Sequence, residues 1–202
     1  MKKLIVCTLL FFSYTLFAAT PAEVLGVRLD KNSGFSAQFT QQVISPDKEI
    51  LSNGSGFVAV SRPNLFHWQT KLPDENLLVS DGKTLWFYDP FVEQVTASDL
   101  STATAQTPFI LIVHNDPKDW DKYQVTQKNN EFSLTAKDTS ANLPTFVIDV
   151  LPDGVIKGFQ LVEQDGQKSR FTFNHFKNTQ PSAKLFRFSV PKGVDLDDQR
   201  AK

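Results

Sequence analysis

Histidine and the hydroxyl side chains are where covalent or metal chemistry would have to start in this 202-residue chain. His67, His114 and His175 stand far apart and share no ligand spacing with a cysteine or carboxylate, so they read as satisfied surface or core residues. Gly54-Ser55-Gly56 lacks the flanks of a nucleophile elbow, and Asn53-Gly54 reads better as a turn. No glycine-rich phosphate loop is present. Asp195, Asp197 and Asp198 could attract a cation but read better as a solvated tail. Scattered Ser, His and Asp sets keep a secreted hydrolase of apolar esters as an alternative. The more informative chemistry is non-covalent. Arg62-Pro63-Asn64-Leu65-Phe66-His67-Trp68 sets one cation against a run of large apolar side chains.

Pro63 disfavours the α region for the residue before it, so Arg62 is expected to be extended, its side chain aimed to one side. Beyond Pro63 the chain reads as a strand, with Phe66 and Trp68 sharing a face because side chains alternate with period two. An unpaired buried charge is very costly. The Arg62 head therefore reaches water, or it reaches acceptors on another element.

The elements that must position these residues are mostly strands. Thr20-Pro21-Ala22-Glu23 has the form of a capping box with Pro at the first helical position. Ala22, Leu25 and Leu29 follow at helical spacing, and Gly34 is expected to end that helix. Phe35, Ala37 and Phe39 then alternate with Ser36, Gln38 and Thr40, one face dry and one wet. Strands are predicted over 57–60, 65–71 and 77–80, and Asp81-Gly82 is a hairpin signal leading into Lys83-Thr84-Leu85-Trp86-Phe87-Tyr88. Four consecutive large residues there predict a strand covered on both faces. Further strands are predicted over 123–127, 132–136, 146–150, 155–162, 170–174 and 185–190, with Asn129-Asn130, Asp153-Gly154 and Asp165-Gly166 at turns. Such a series makes a mainly β, antiparallel meander, curled or closed to avoid long open edges. Thr107-Pro108-Phe109-Ile110-Leu111-Ile112-Val113 breaks the pattern as a capped, wholly apolar helix. It must lie over a greasy surface, and the hollow of the sheet supplies one. The density of Trp68, Trp86 and the Phe set exceeds what a plain core needs and marks a candidate cavity for an apolar ligand.

Composition bounds the setting. Met1-Lys2-Lys3 followed by Leu4 to Phe17 and by Ala18-Ala19 reads as a secretory signal, residues 1–18, too short for a membrane anchor. Residues 19–202 then form a single domain, without repeats or low-complexity linkers. Cys7, the only cysteine, leaves with the signal, so the exported chain has no disulfide or thiol chemistry. Removing Lys2 and Lys3 from the 21 cations leaves 19 against 22 acids, a formal net of −3. That excludes a strongly basic nucleic-acid binder.

Several blocks together resemble the LolA family of periplasmic outer-membrane lipoprotein carriers. They are Arg62 to Trp68, Leu78 to Tyr88, Pro90-Phe91-Val92-Glu93-Gln94, Thr107-Pro108-Phe109 and Gly193 to Arg200. His67 stands where the family pattern has Asn, a change expected to face the surface. The resemblance implies an incomplete, half-open barrel with a lid of short α-helices over an apolar cavity, and no covalent chemistry or cofactor. It implies acylated lipoproteins as cargo, taken from an inner-membrane ATP-driven complex, LolCDE, and handed to an outer-membrane receptor, LolB. Arg62 matches the family's latch arginine, which bonds lid carbonyls, and Phe66 matches a residue at the mouth. Phe109, Ile110 and Leu111 match lid residues, and Trp68 and Phe109 would touch acyl chains. Trp86 is expected to join them in the cavity. A carrier of small free lipids would differ only in cargo.

Overall fold

The computed structural model describes residues 19–103, 108–141 and 143–201; the expected signal, 1–18, and the expected cap at Thr107 lie outside them. Helix α1, Pro21–Leu29, begins as the capping box requires. Glu23 N donates to Thr20 Oγ1 at 3.3 Å, and Thr20 N donates back to Glu23 Oε2 at 2.7 Å. The helix stops at Leu29, short of Gly34, which instead opens the first strand. Asp30 caps it, its backbone N–H donating to Gly26 O.

Twelve strands follow, all in one sheet. They are β1 Gly34–Ile44, β2 Ile50–Ser61, β3 Leu65–Leu72, β4 Asn76–Asp81, β5 Thr84–Asp89 and β6 Gln94–Asp99. After three short helices, α2 Leu100–Ala103, α3 Pro108–His114 and α4 Pro117–Trp120, come β7 Tyr123–Lys128, β8 Glu131–Ala136, β9 Thr145–Val150, β10 Ile156–Val162, β11 Lys168–Lys177 and β12 Asp195–Asp198. The spatial order is β12-β6-β5-β4-β3-β2-β1-β11-β10-β9-β8-β7. Every pairing is antiparallel except β12 on β6. The sheet stays open, since its outermost strands, β12 and β7, each pair on one side only.

It is strongly curled nonetheless. Strands β3 and β10 lie four places apart, about 19 Å across a flat sheet. Yet the rings of Trp68 on β3 and Phe159 on β10 are 6.0 Å apart. Curling turns the inward positions of both halves toward one another, and α1 and α3 fill the hollow with them. Leu25, Leu29, Phe35, Phe66, Phe132 and Leu134 are fully buried in this inner core. Gly56 permits one close approach within it. A Cβ there would stand 2.4 Å from Phe39 Cζ, so glycine lets the Phe39 ring lie across β2 and stack on Trp68 at 4.3 Å.

The outer face of β2 to β6 carries a second, smaller apolar layer. Ala59, Val79, Val95 and Ala97 are buried outside the inner core. The chain leading to β12 covers them as a strap, with Phe186 buried and Phe188 against Trp86 at 5.5 Å and Tyr88 at 6.2 Å. So β5 is covered on both faces where Leu85 and Trp86 stand, as its run of large residues predicts.

Three expectations need correction, and one strand was not foreseen. Residues 185–190 are no strand: Ala183–Phe186 is a 3-10 turn capped by Ser182, and the segment contributes ring burial instead of backbone pairing. Asn53 and Gly54 lie inside β2, paired with Gln42 and Gln41. Gly54 serves close packing there, because a Cβ would meet Leu72 O at 2.8 Å. Asp195 to Asp198 form the edge strand β12, and its charged side chains blunt that edge against further pairing. Strand β6 was missed because its buried side, Val95 and Ala97, is small and weakly apolar.

Antiparallel alternation sorts the turns into two ends. Turns 62–64, 82–83, 129–130 and 152–155 gather at one, with the C-terminus of α1. Hairpin tips 45–49, 73–75, 90–93 and 163–167 gather at the other.

Candidate functional site

Arg62 sits in the turn between β2 and β3, and its fork is turned inward. Its Nε donates to Asn32 O at 2.8 Å, and Nη1 donates to Val113 O at 2.9 Å and to Ile112 O. Those last two carbonyls belong to the C-terminal turn of α3, whose final carbonyls have no intrahelical partner and carry partial negative charge. A cation is therefore the matched group. Nη2 is buried without a partner among the described residues. Burial pulls the guanidinium down to about 10 against the pull of Asp30, which leaves it charged at neutral pH. Of the two open readings, the head reaches acceptors on another element and not bulk water.

Helix α3 is positioned by its own apolarity: Phe109, Ile110, Leu111, Ile112 and Val113 are all nearly buried. A second polar knot holds the same end. Asn115 Nδ2 donates to Gly26 O at 3.1 Å and to Asp30 Oδ1 at 2.7 Å, and Trp120 Nε1 donates to Asn115 Oδ1 at 3.2 Å. Beside it His114 Nδ1 lies 2.7 Å from Asp119 Oδ2. Burial raises the Asp119 pKa, but hydrogen bonds from His114 and Lys122 outweigh it and hold the carboxyl below its ordinary range. At the N-terminal half of α3 the contacts are apolar. The Phe109 ring meets Trp68 at 5.0 Å, Phe66 at 6.2 Å and Phe159 at 5.7 Å.

Beneath Phe109 lies a pocket of about 280 Å³, walled by Trp68, Leu78, Phe159, Leu161 and Phe171. Gln41 and Thr70 are the polar groups on its lining, toward the end of the hairpin tips. A larger hollow of about 500 Å³ on the outer face has a mixed wall, Phe39 and Phe57 alternating with Gln38, Ser55, Gln69 and Lys71. Apolar ligands are bound by apolar concavities with few polar groups, so the inner pocket is the candidate site.

Of the residues expected here, Trp68 and Phe109 line the pocket. Phe66 reaches it only through its contact with the Phe109 ring, Ile110 and Leu111 are buried on α3 outside the lining, and Arg62 holds the C-terminal end of that helix. Trp86 does not join them. Its strand neighbours Val79 and Ala97 put it on the outer face, where Nε1 donates to Asp81 Oδ2 at 2.9 Å and Arg200 lies over the ring at 5.2 Å. Leu85, one residue earlier, holds the inward position, so the run of large residues concealed which side chain faced the hollow. His67 is not simply on the surface either: the strap covers it, and Nδ1 donates to Leu185 O at 3.0 Å. Phe159, Leu161 and Phe171 were legible as alternating strand positions, but nothing local marks them as opposite Trp68. Among the described residues no group of three or more His, Cys, Asp and Glu could hold a metal ion.

Known proteins agree with this architecture. A solved uncharacterized conserved protein from Thermus thermophilus matches with TM-score 0.56 at 15% identity, over 89% of this chain and all of that one. A LolA superfamily protein from Nitrosomonas europaea matches with TM-score 0.50 at 14% identity, over 84% and 99%. These show the fold alone. Sequence relatives reach further. An outer-membrane lipoprotein carrier protein of Aliivibrio salmonicida is 50% identical over 99% of this chain and 100% of its own length. Its counterpart in Photobacterium profundum is 52% identical over 90% and 91%. The family model described as outer membrane lipoprotein carrier protein LolA matches residues 30–189, taking in the Arg62 turn, α3 and both pocket walls. Matched over nearly its whole length by such relatives, the chain belongs to the LolA family of outer membrane lipoprotein carrier proteins.

Proposed function

We propose that this carrier shields lipoprotein acyl chains in the pocket beneath Phe109 during their passage through the periplasm. It receives them from an inner-membrane ATP-driven complex of the LolCDE kind and passes them to an outer-membrane receptor of the LolB kind. Residues 1–18 direct its export and are removed. Arg62 acts as the latch, and Phe66, Trp68, Phe109, Ile110 and Leu111 form the surfaces that acyl chains replace. The observation that carries this reading is one aromatic-walled pocket roofed by a helix whose rear carbonyls are held by a single cation.

Magnitudes explain why a latch belongs on such a pocket. If a methylene takes about the volume of one liquid water, roughly 30 Å³, the 280 Å³ pocket holds about nine. At about 0.8 kcal/mol each, they contribute on the order of 7 kcal/mol. A lipoprotein with three long chains needs several times that volume, so α3 must lift for cargo to enter. Three chains gripped fully would sum to on the order of 30 kcal/mol, beyond the roughly 20 at which non-covalent binding saturates. Such a carrier would never release its load. Breaking the Arg62 bonds subtracts from the grip and keeps transfer reversible.

An environment-sensitive apolar dye tests the reading. It is expected to bind the pocket, to be displaced by acylated lipoprotein and to be untouched by the same protein without its acyl chains. Equal displacement by both forms would refute it.

A further inference from the structure

The tip of the β5–β6 hairpin carries the most exposed large apolar side chain among the described residues. Phe91 is 90% exposed and Val92, beside it, 56%. The backbone of this tip is braced by a local turn. Asp89 Oδ1 accepts from Phe91 N at 2.9 Å and from Val92 N at 3.4 Å, an Asx turn that aims the ring outward. The tip projects from the same end of the sheet toward which the pocket is lined by Gln41 and Thr70. Its surroundings are acidic. Asp74 and Glu75 on the neighbouring β3–β4 tip, Glu93, and Asp195 at the start of β12 are exposed, with Lys71 and Lys192 nearby; the farther tips of this end add Lys48 and Lys168 beside Asp47, Glu49 and Asp165. The β3–β4 and β5–β6 tips are about 10 Å apart by strand spacing, within a Debye length at about 0.1 M salt.

We infer that Phe91 and Val92 are a preorganised docking anchor for a protein partner whose surface offers an apolar pocket flanked by Lys or Arg. A few large side chains carry most of the energy at an interface, and a braced backbone reduces the ordering entropy lost when such a side chain binds. Charge selects the occupant. An anionic lipid surface draws basic segments and repels this carboxylate-rich end. A second copy docking by two-fold symmetry would set acid against acid. A basic protein surface is attracted, and complementary charge speeds the encounter while salt weakens it. Docking at this end sets the pocket rim lined by Gln41 and Thr70 against the partner, so the inference rests on the carrier reading.

The test uses the exported chain, an acylated lipopeptide as cargo probe, and the purified releasing complex and receptor as immobilised partners. Variants are Phe91→Ala and the double change Glu75→Lys/Glu93→Lys; both sites are exposed, and wild-type melting and lipopeptide affinity show that folding and pocket are intact. Phe91→Ala is expected to speed dissociation from one partner at least tenfold. The charge reversal is expected to slow association with that partner and flatten its dependence on salt between about 50 and 300 mM. Wild-type association of both variants with both partners overturns the inference. So does flotation with phosphatidylglycerol vesicles, or concentration-dependent dimerisation, that Phe91→Ala abolishes. Failure of the wild-type chain to bind acylated lipopeptide would instead defeat the carrier reading, and the association data would still judge the anchor.

Discussion

As the proposed latch, Arg62 would concentrate the regulation of the pocket in one side chain. Charge-assisted hydrogen bonds contribute roughly 1.5–3 kcal/mol each, and the fork makes two to α3 and one to Asn32 O. The unpaired Nη2 subtracts from that sum, so the proposed latch would be firm without being irreversible. Arg62→Leu is expected to favour the open lid and raise apparent cargo affinity about tenfold for every 1.4 kcal/mol of latch energy lost. Loading should survive and hand-over to the receptor should stall, with Arg62→Lys intermediate because a point charge replaces the fork. A wild-type hand-over rate from preloaded Arg62→Leu would end the latch assignment. His67 gives a second residue-scale expectation. Burial beneath the strap lowers its pKa from the ordinary 6.5, against the hydrogen bond to Leu185 O. The unfolded chain therefore binds the proton more readily, and folded stability should decline as pH falls below about 6.5 toward the lower folded value. Melting temperature against pH measures this, and His67→Gln should flatten that part of the profile.

At the scale of elements, α3 owes its place to two unlike ends. Its C-terminal end is bound by Arg62 and by the Asn115 knot, all polar and directional. Its N-terminal half is held by ring contacts that an acyl chain can exchange at little cost, since one apolar surface replaces another. Phe109→Glu is expected to abolish dye and lipopeptide binding, because a carboxylate would stand in an apolar lining beside Trp68 and Phe159. Fluorescence titration reads it directly, and unchanged affinity would remove Phe109 from the site. The C-terminal strap is the opposite kind of element. It has little backbone pairing before β12 and holds by burying Phe186 and Phe188 on the outer face.

For the whole molecule, curling is what converts a sheet into a container. An open twelve-stranded sheet brings β3 against β10 without closing, a geometry that would let the hollow widen in the proposed lifting of α3. A closed barrel would resist that change through its continuous ladder. The exported form is expected to begin at Ala19, to be monomeric and to be indifferent to reductant, since Cys7 is the only cysteine of the chain. Intact mass of the periplasmic protein checks it; a retained N-terminus or a thiol-dependent mobility shift would contradict it.

Much of this was legible in the chain itself, because periodicity and turn chemistry act over a few residues. The capping box at Thr20 and Glu23, the alternation of Phe35, Ala37 and Phe39, the glycine turns and the apolar helix from Phe109 to Val113 are all local signals. Arg62 was marked by its apolar setting, and its role by family likeness. What the sequence could not decide was which face of a strand met which distant face. Leu85 and Trp86 are both large, and only the register of β5 between β4 and β6 sent Leu85 inward and Trp86 under the strap. Phe159 meets Trp68 across four strands of curl, and Val113 O meets Arg62 across fifty-one positions of chain. Such pairings depend on the summed twist of the sheet, a quantity that no short stretch of residues carries.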